Sequence, residues 1–169
     1  MIVTRTPYRI SFLGGGLDYP EWYKEHDGSV LSTSINKYCY IAATPYNLVF
    51  PQRYKVYWKI VELVNAIDDI EHPVVREGLK LMNYHDSLKL YYHGDLPSQS
   101  GLGSSSSFTV GFLKAISLLM HEKLTKEELA KRAIHLERAI LKEHGGDQDQ
   151  IAVSYGGFNQ IDFYKDSFS

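Results

Sequence analysis

The sequence predicts an α+β fold. Three observations carry that reading. Stretches rich in β-branched and aromatic residues dominate the N-terminal half, two long helical patterns follow close together, and no regular strand–helix alternation of the βαβ kind links them.

The elements follow in chain order. Residues 2–12 predict a strand that runs into a turn at Gly14-Gly15-Gly16. Residues 29–35 and 37–44 predict two strands, with Asn36-Lys37 supplying a tight turn between them. Residues 54–60 read as another strand. Residues 73–84 carry Val74, Val75, Leu79 and Met82 at helical spacing behind Pro73, a residue suited to a first helical turn. Residues 88–93 read as a strand leading into a Gly/Ser loop. Residues 105–121 predict a helix with Val110, Leu113 and Ser117 in one row and Phe112, Ile116 and Leu119 beside it, so most of its surface is expected to be buried. Residues 126–143 predict a second helix. Thr125 and Glu128 make a capping box, Leu129, Ala133, Leu136 and Ile140 line one row, and Gly145-Gly146 are expected to stop it. Residues 158–164 read as a last strand.

Bulk composition narrows the function classes. The 169 residues are 44% hydrophobic and 22% charged, as expected of one globular domain. A formal net charge of -2 gives no general attraction to nucleic acid or to an anionic membrane, and neither is expected as a partner. The single cysteine, Cys39, cannot form an internal disulfide; it reads as a small hydrophobe in a strand and fits a reducing cytoplasm. Residues 1–8 hold no signal-peptide apolar region, and no apolar run approaches the ~20 residues that span a bilayer. The tyrosines fall mostly in strand-like stretches and are assigned no function.

Two segments carry candidate chemistry. In residues 97–107, Gly101 and Gly103 let the backbone approach a ligand closely, and the serines that follow open a buried helix. The first turn of a helix has free N–H donors and partial positive charge, which suits a phosphate. On spacing alone, a serine-capped turn explains the segment equally well, and it is not a Walker A loop, because no Gly-Lys-Ser/Thr follows the glycines. On the second helix, Ala130, Ile134, Glu137 and Leu141 share one face, and a carboxylate in an apolar row is costly unless a cation or hydrogen bonds satisfy it. Glu137 is therefore either a metal ligand or a stripe-edge acid paired with a lysine. The row Lys131, His135, Arg138, Lys142 reads as a solvated face, and Asp147 as a helix-capping acid.

Three motifs bear a family resemblance. Pro97-x-x-x-Gly101-Leu102-Gly103-Ser104-Ser105-Ser106 resembles the second signature of the GHMP kinase superfamily, Thr6-Pro7-x-Arg9 running to Gly14-Gly15-Gly16-x-Asp18 resembles the first, and Gly146-Asp147-Gln148-Asp149-Gln150 resembles the Gly-x-Gln-Asp-Gln segment of its sugar kinases. The resemblance implies a ribosomal protein S5 domain 2-like fold, a mixed sheet with helices packed on one face. It implies Mg²⁺ and ATP, with Pro97, Gly101, Leu102, Gly103, Ser104, Ser105 and Ser106 around the phosphates and Ser105 and Glu137 on the metal. It also implies Asp149 as the catalytic aspartate with Arg9 beside it, and Gly14, Gly15, Gly16 and Asp18 at the sugar. Within the superfamily the D-glycero-D-manno-heptose 7-phosphate kinase group is most similar, through residues 12–18, Glu71-His72-Pro73-Val74-Val75-Arg76-Glu77 and residues 101–110. That group usually has Thr where this chain has Leu17, which keeps fucose- and galactose-type kinases as alternatives. The superfamily also has a C-terminal domain with a further Gly-rich loop, and no such segment is found in these residues. The resemblance therefore implies an N-terminal domain over 1–169 that either acts with a separate C-terminal half, self-associates, or serves as a non-catalytic binding module.

Overall fold

The computed structural model describes residues 1–45, 51–97, 100–165 and 167–169. Strand β1 (Ile2–Leu13) is followed by helix α1 (Pro20–His26), then by β2 (Gly28–Pro45), β3 (Tyr54–Tyr57) and β4 (Val61–Val64). Helix α2 (Pro73–Leu81), β5 (Leu88–Gly94), α3 (Ser104–Leu119) and α4 (Lys126–Ile134) come next, and α5 (Gln148–Tyr155), β6 (Phe158–Tyr164) and β7 (Ser167–Phe168) close the described chain. The sheet runs β4-β3-β5-β2-β6-β7, with β1 paired along β2. Among the described residues only β3 and β5 pair in parallel, so the sheet is mixed, and the fold is α+β as the sequence predicts.

The two strands expected at 29–35 and 37–44 are one. Asn36-Lys37 makes no turn, because β1 pairs with β2 on both sides of it: Pro7 faces Tyr38 and Arg9 faces Ser34. Two steps on β1 match four on β2, so the polar pair is absorbed as a bulge in a continuous strand. That bulge divides β2 into a half that pairs with β6 (28–33) and a half that pairs with β5 (39–45). The strand expected at 54–60 ends at Tyr57, turns and returns as β4. Helices α1 and α5 are too short and too polar in pattern to have been assigned from sequence.

Alternation along β1 sends Thr4, Thr6 and Tyr8 inward, and α3 lies across them. The opposite-facing residues Val3, Tyr91, Val61 and Leu63 stay exposed, so α3 and its neighbours gather on the other face. The main core joins Tyr8, Ile41, Leu88 and Leu90 of the sheet to Phe112, Leu113 and Ile116 of α3 and Leu136. Cys39 is buried in it, and burial pushes its thiol up to about 12, consistent with a packing role. Among the described residues, no helix is long and apolar enough to cross a membrane.

Contact between α3 and the sheet is closest at Gly111. A Cβ there would lie 2.8 Å from Thr6 Oγ1 and 3.4 Å from Ile41 Cγ1, and the Gly111 carbonyl accepts the Thr4 hydroxyl at 2.9 Å. Both neighbours sit on paired strands and cannot retreat cheaply. Gly111→Ala is therefore expected to destabilise the chain by about 1–3 kcal/mol, despite alanine's helix propensity, in urea unfolding followed by circular dichroism.

Candidate active site

Arg9 joins three segments. Its backbone N–H donates to the Leu102 carbonyl at 3.0 Å, and Nη1 donates to the Gly101 carbonyl at 2.9 Å. Nε and Nη2 both reach Asp149 Oδ1, at 2.7 and 2.6 Å. The pair is mostly enclosed, with Arg9 11% and Asp149 23% exposed. Burial pushes the Asp149 carboxyl above the usual carboxylate range, and the Arg9 guanidinium pulls it part of the way back.

The Gly-rich loop bends over this pair. Gly101 and Gly103 both hold φ of +72°, a left-handed conformation that favours glycine. A Cβ on Gly103 would come 3.2 Å from Arg9 Cγ and 3.5 Å from Asp149 Oδ2, so a larger residue would press on the Arg9–Asp149 pair. Gly103 is also the N-cap of α3 and offers no side-chain cap, which leaves the first-turn N–H groups open to a ligand. Ser107 instead bonds inward to the Pro7 and Gly103 carbonyls, each at 2.9 Å, and fixes the loop to β1. Ser98 and Gln99 of this loop lie outside the described residues.

Glu137 does not sit in a plain α-helix. The helix expected at 126–143 is α-helical to Ile134 and then continues as a π-helical turn, His135–Ile140, with the Leu141 N–H bonded to the Leu136 carbonyl. Lys142 takes φ of +55° and ends it, before the expected stop at Gly145-Gly146. Glu137 is 1% exposed. Its Oε2 accepts Ser106 Oγ at 3.0 Å and Gln150 Nε2, so its partners are these donors and not a lysine. Among the described residues its Oε1 has no hydrogen-bond partner, and desolvation pushes the carboxyl up while the neighbouring Thr109, Gln150 and Ser106 side chains pull it part of the way back. A buried carboxylate oxygen left open beside a cleft fits a hard divalent cation. Glu137 and Ser105 line the same cleft and could hold Mg²⁺. Ser105 is exposed there, whereas Ser106 is buried against Glu137.

That cleft, of about 280 Å³, is lined by Arg9, Asp18, Ser105, Ser106, Glu137, Arg138 and Asp149 among others. Asp18 is 1% exposed; its Oδ1 accepts the Gly16 N–H at 3.0 Å and its Oδ2 the Gln148 N–H at 3.3 Å. It thereby caps the first turn of α5, where Asp147 makes no side-chain cap. Gly14, Gly15 and Gly16 are not part of the lining. Gly14, at φ of +87°, is instead required by β2, because a Cβ there would run into the Ser29 carbonyl.

Sequence reasoning missed several contributors. Arg138 is not solvated but lies against Asp147, and Asp147 accepts Tyr23 and Arg138 in place of capping a helix. A second cleft, of about 530 Å³, holds Trp58, His72, Tyr92, Pro97 and Phe108 together with Ser104 and Ser105. Ring centroids are 4.5 Å apart for Trp58–His72 and 4.6 Å for His72–Phe108. Buried Glu62 accepts Trp58 Nε1 at 2.7 Å and the backbone N–H groups of Glu71 and His72, which sets this wall. Burial lowers His72 to about 4, so its ring is neutral at pH 7. These residues come from separate segments with no shared spacing, so no sequence signal could have grouped them.

The GHMP kinases N-terminal domain model matches residues 62–157, and the chain belongs to this family. It is 33% identical to the D-glycero-alpha-D-manno-heptose 7-phosphate kinase of Campylobacter jejuni, over 96% of this chain and 51% of that protein. It is 28% identical to the galactokinase of Pyrococcus furiosus, over 96% of this chain and 46% of that protein. The crystal structure of a D-glycero-D-manno-heptose 1-phosphate kinase from Bacteroides thetaiotaomicron superposes with a TM-score of 0.89 at 26% identity, covering all of this chain and 58% of that one. The chain thus spans about half the length of the curated relatives it matches.

The Arg9–Asp149 pair is largely withdrawn from water, so its members are expected to be energetically coupled. A double-mutant cycle of Arg9→Met and Asp149→Asn, read by denaturant unfolding, is expected to return a coupling of about 1–3 kcal/mol. Additive single effects would mean that the contact carries no net energy.

Proposed function

We propose that this chain carries the nucleotide-binding and phosphoryl-transfer groups of an ATP-dependent sugar kinase. The observation that carries the reading is the position of Ser105, which lies on the wall of both clefts. A nucleotide base can lie against the aromatic wall of the larger cleft, and its phosphates then cross the uncapped start of α3 toward Arg9 and Asp149. Pro97 lies on the base side of this path, and Gly101, Leu102, Gly103, Ser104 and Ser106 lie along it.

The chemistry asked of the residues is mainly positioning, as expected for a loose phosphoryl-transfer transition state. Gly103 and the first turn of α3 hold phosphate oxygens by backbone N–H groups. Glu137 and Ser105 would hold Mg²⁺, which would supply positive charge to offset the phosphate charge. Asp149 accepts the proton of the attacking hydroxyl or holds that hydroxyl in line. Arg9 offsets part of the desolvation of Asp149, favouring its ionised form, and steadies charge on the transferring group. Asp18 accepts acceptor hydroxyls, with Gly14, Gly15 and Gly16 shaping the turn that carries it. The acceptor we favour is the anomeric hydroxyl of D-glycero-D-manno-heptose 7-phosphate, on the similarity to the Campylobacter jejuni enzyme. A fucose- or galactose-type acceptor is the second reading, favoured by Leu17 and by the similarity to a galactokinase.

The competing function is a non-catalytic nucleotide- and sugar-binding domain, acting beside a separate C-terminal half or as a self-associated chain. A coupled ATPase assay with heptose 7-phosphate separates the two. Turnover by the 169-residue chain alone excludes the binding-module reading. Asp149→Asn is expected to lower kcat by about 10³-fold while titration calorimetry still detects ATP; undiminished turnover would remove Asp149 from the mechanism. Gly103→Val is expected to abolish ATP binding, since its side chain would enter the space beside Arg9 and the phosphate path.

A further inference from the structure

The segment that delivers Asp149 is held from behind by one side chain. Residues 143–147 contain no helix or strand, yet their backbone carbonyls converge on Arg138. Arg138 Nη1 donates to the Glu143 carbonyl at 3.1 Å, Nη2 donates to the Gly146 carbonyl, and Nε donates to Asp147 Oδ1 at 3.1 Å. Gly145 lies flat against the guanidinium, where a Cβ would come within 3.1–3.4 Å of its atoms. The other oxygen of Asp147 accepts Tyr23 Oη at 2.8 Å, and Tyr23 is itself stacked on Phe163 with centroids 5.4 Å apart. Asp147 is also tied by its N–H to the Asp18 carbonyl at 2.9 Å. The ion pair is well enclosed, with Arg138 19% and Asp147 6% exposed.

We propose that Arg138 is a positioning residue, whose guanidinium, spread over Glu143–Asp147 and anchored through Asp147 to Tyr23, sets the place from which Asp149 meets Arg9. The role rests on the phosphoryl-transfer reading above. Its physical logic is a fork with three directions filled. A turn rich in glycine has many accessible conformations, and each donor of the planar group removes some of them. A lysine at 138 offers one compact ammonium and cannot serve a carboxylate and two carbonyls in the same geometry. Adjacent residues 137 and 138 diverge around the helix axis and address different targets, Glu137 the serine helix and Arg138 the turn.

The test compares Arg138→Ala, Arg138→Lys and Tyr23→Phe with His135→Ala, an exposed neighbour from the same sequence row. Amide hydrogen exchange on the 169-residue chain reads the turn directly. Arg138→Ala is expected to speed exchange at 145–148 by about tenfold or more, with α3 and β1 within about twofold of the parent. Tyr23→Phe should act in the same direction and less, and His135→Ala should change nothing. In the kinase assay, Arg138→Ala is expected to lower kcat by about 100-fold with KM for ATP within about threefold, and Arg138→Lys to recover only part of that loss. Unchanged exchange at 145–148, or equal acceleration across the whole chain, would overturn the proposal. So would a rise in KM for ATP with kcat intact, or full recovery by lysine. If the 169-residue chain alone shows no turnover, the kinetic comparison is made with a C-terminal half supplied, while the exchange result by itself decides whether Arg138 holds the turn.

Discussion

The site depends on one guanidinium. Arg9 leaves the edge strand β1, takes the Gly101 carbonyl with one nitrogen and Asp149 with two others, and its own N–H holds Leu102. A strand, a Gly-rich loop and the start of a helix, far apart in sequence, are thus fixed to a single planar group. Arginine suits this task because its donors leave in fixed directions and its charge persists when it is partly buried. Removing it would leave Asp149 enclosed without a cation, which costs far more than the pair gains over separate solvation.

The residues after the second helix show the same economy of contact at the next level. Consecutive positions face different partners: Asp147 takes Arg138 and Tyr23, the Gln148 N–H takes Asp18, Asp149 takes Arg9, and Gln150 takes Glu137. Together they determine the direction of each side chain at the mouth of the cleft, as a preorganised site requires.

The same region concentrates burial of acids. Asp18, Glu137 and Asp147 are almost fully enclosed and Asp149 partly so, with Arg9 and Arg138 as the cations paired to two of them. Desolvation raises Glu137, Asp147 and Asp149. Such a cluster is poor at stabilising a fold, since paired buried charges return little beyond their desolvation cost. Stability comes instead from the apolar layer between α3 and the sheet, which leaves the acids available for chemistry.

The α+β class, the positions of β1, α3 and β6, the capping box at Thr125 and the glycine–serine loop can be read from the residues alone, because these signals are local: periodicity, capping and backbone freedom act over a few residues. Glu137 was legible for the same reason, as a carboxylate in an apolar row. The tertiary structure decided what local rules could not. Asn36-Lys37 has the chemistry of a turn, but β1 pairs across both flanks and holds the chain extended. Arg138 has the spacing of a solvated row, but a π-helical turn and a convergent set of carbonyls draw it inward. The aromatic cleft beside Ser105 is assembled from β3–β4, the start of α2, β5 and α3, whose side chains meet only once the sheet has formed. Long-range pairing sets which residues meet, and no window of the sequence contains it.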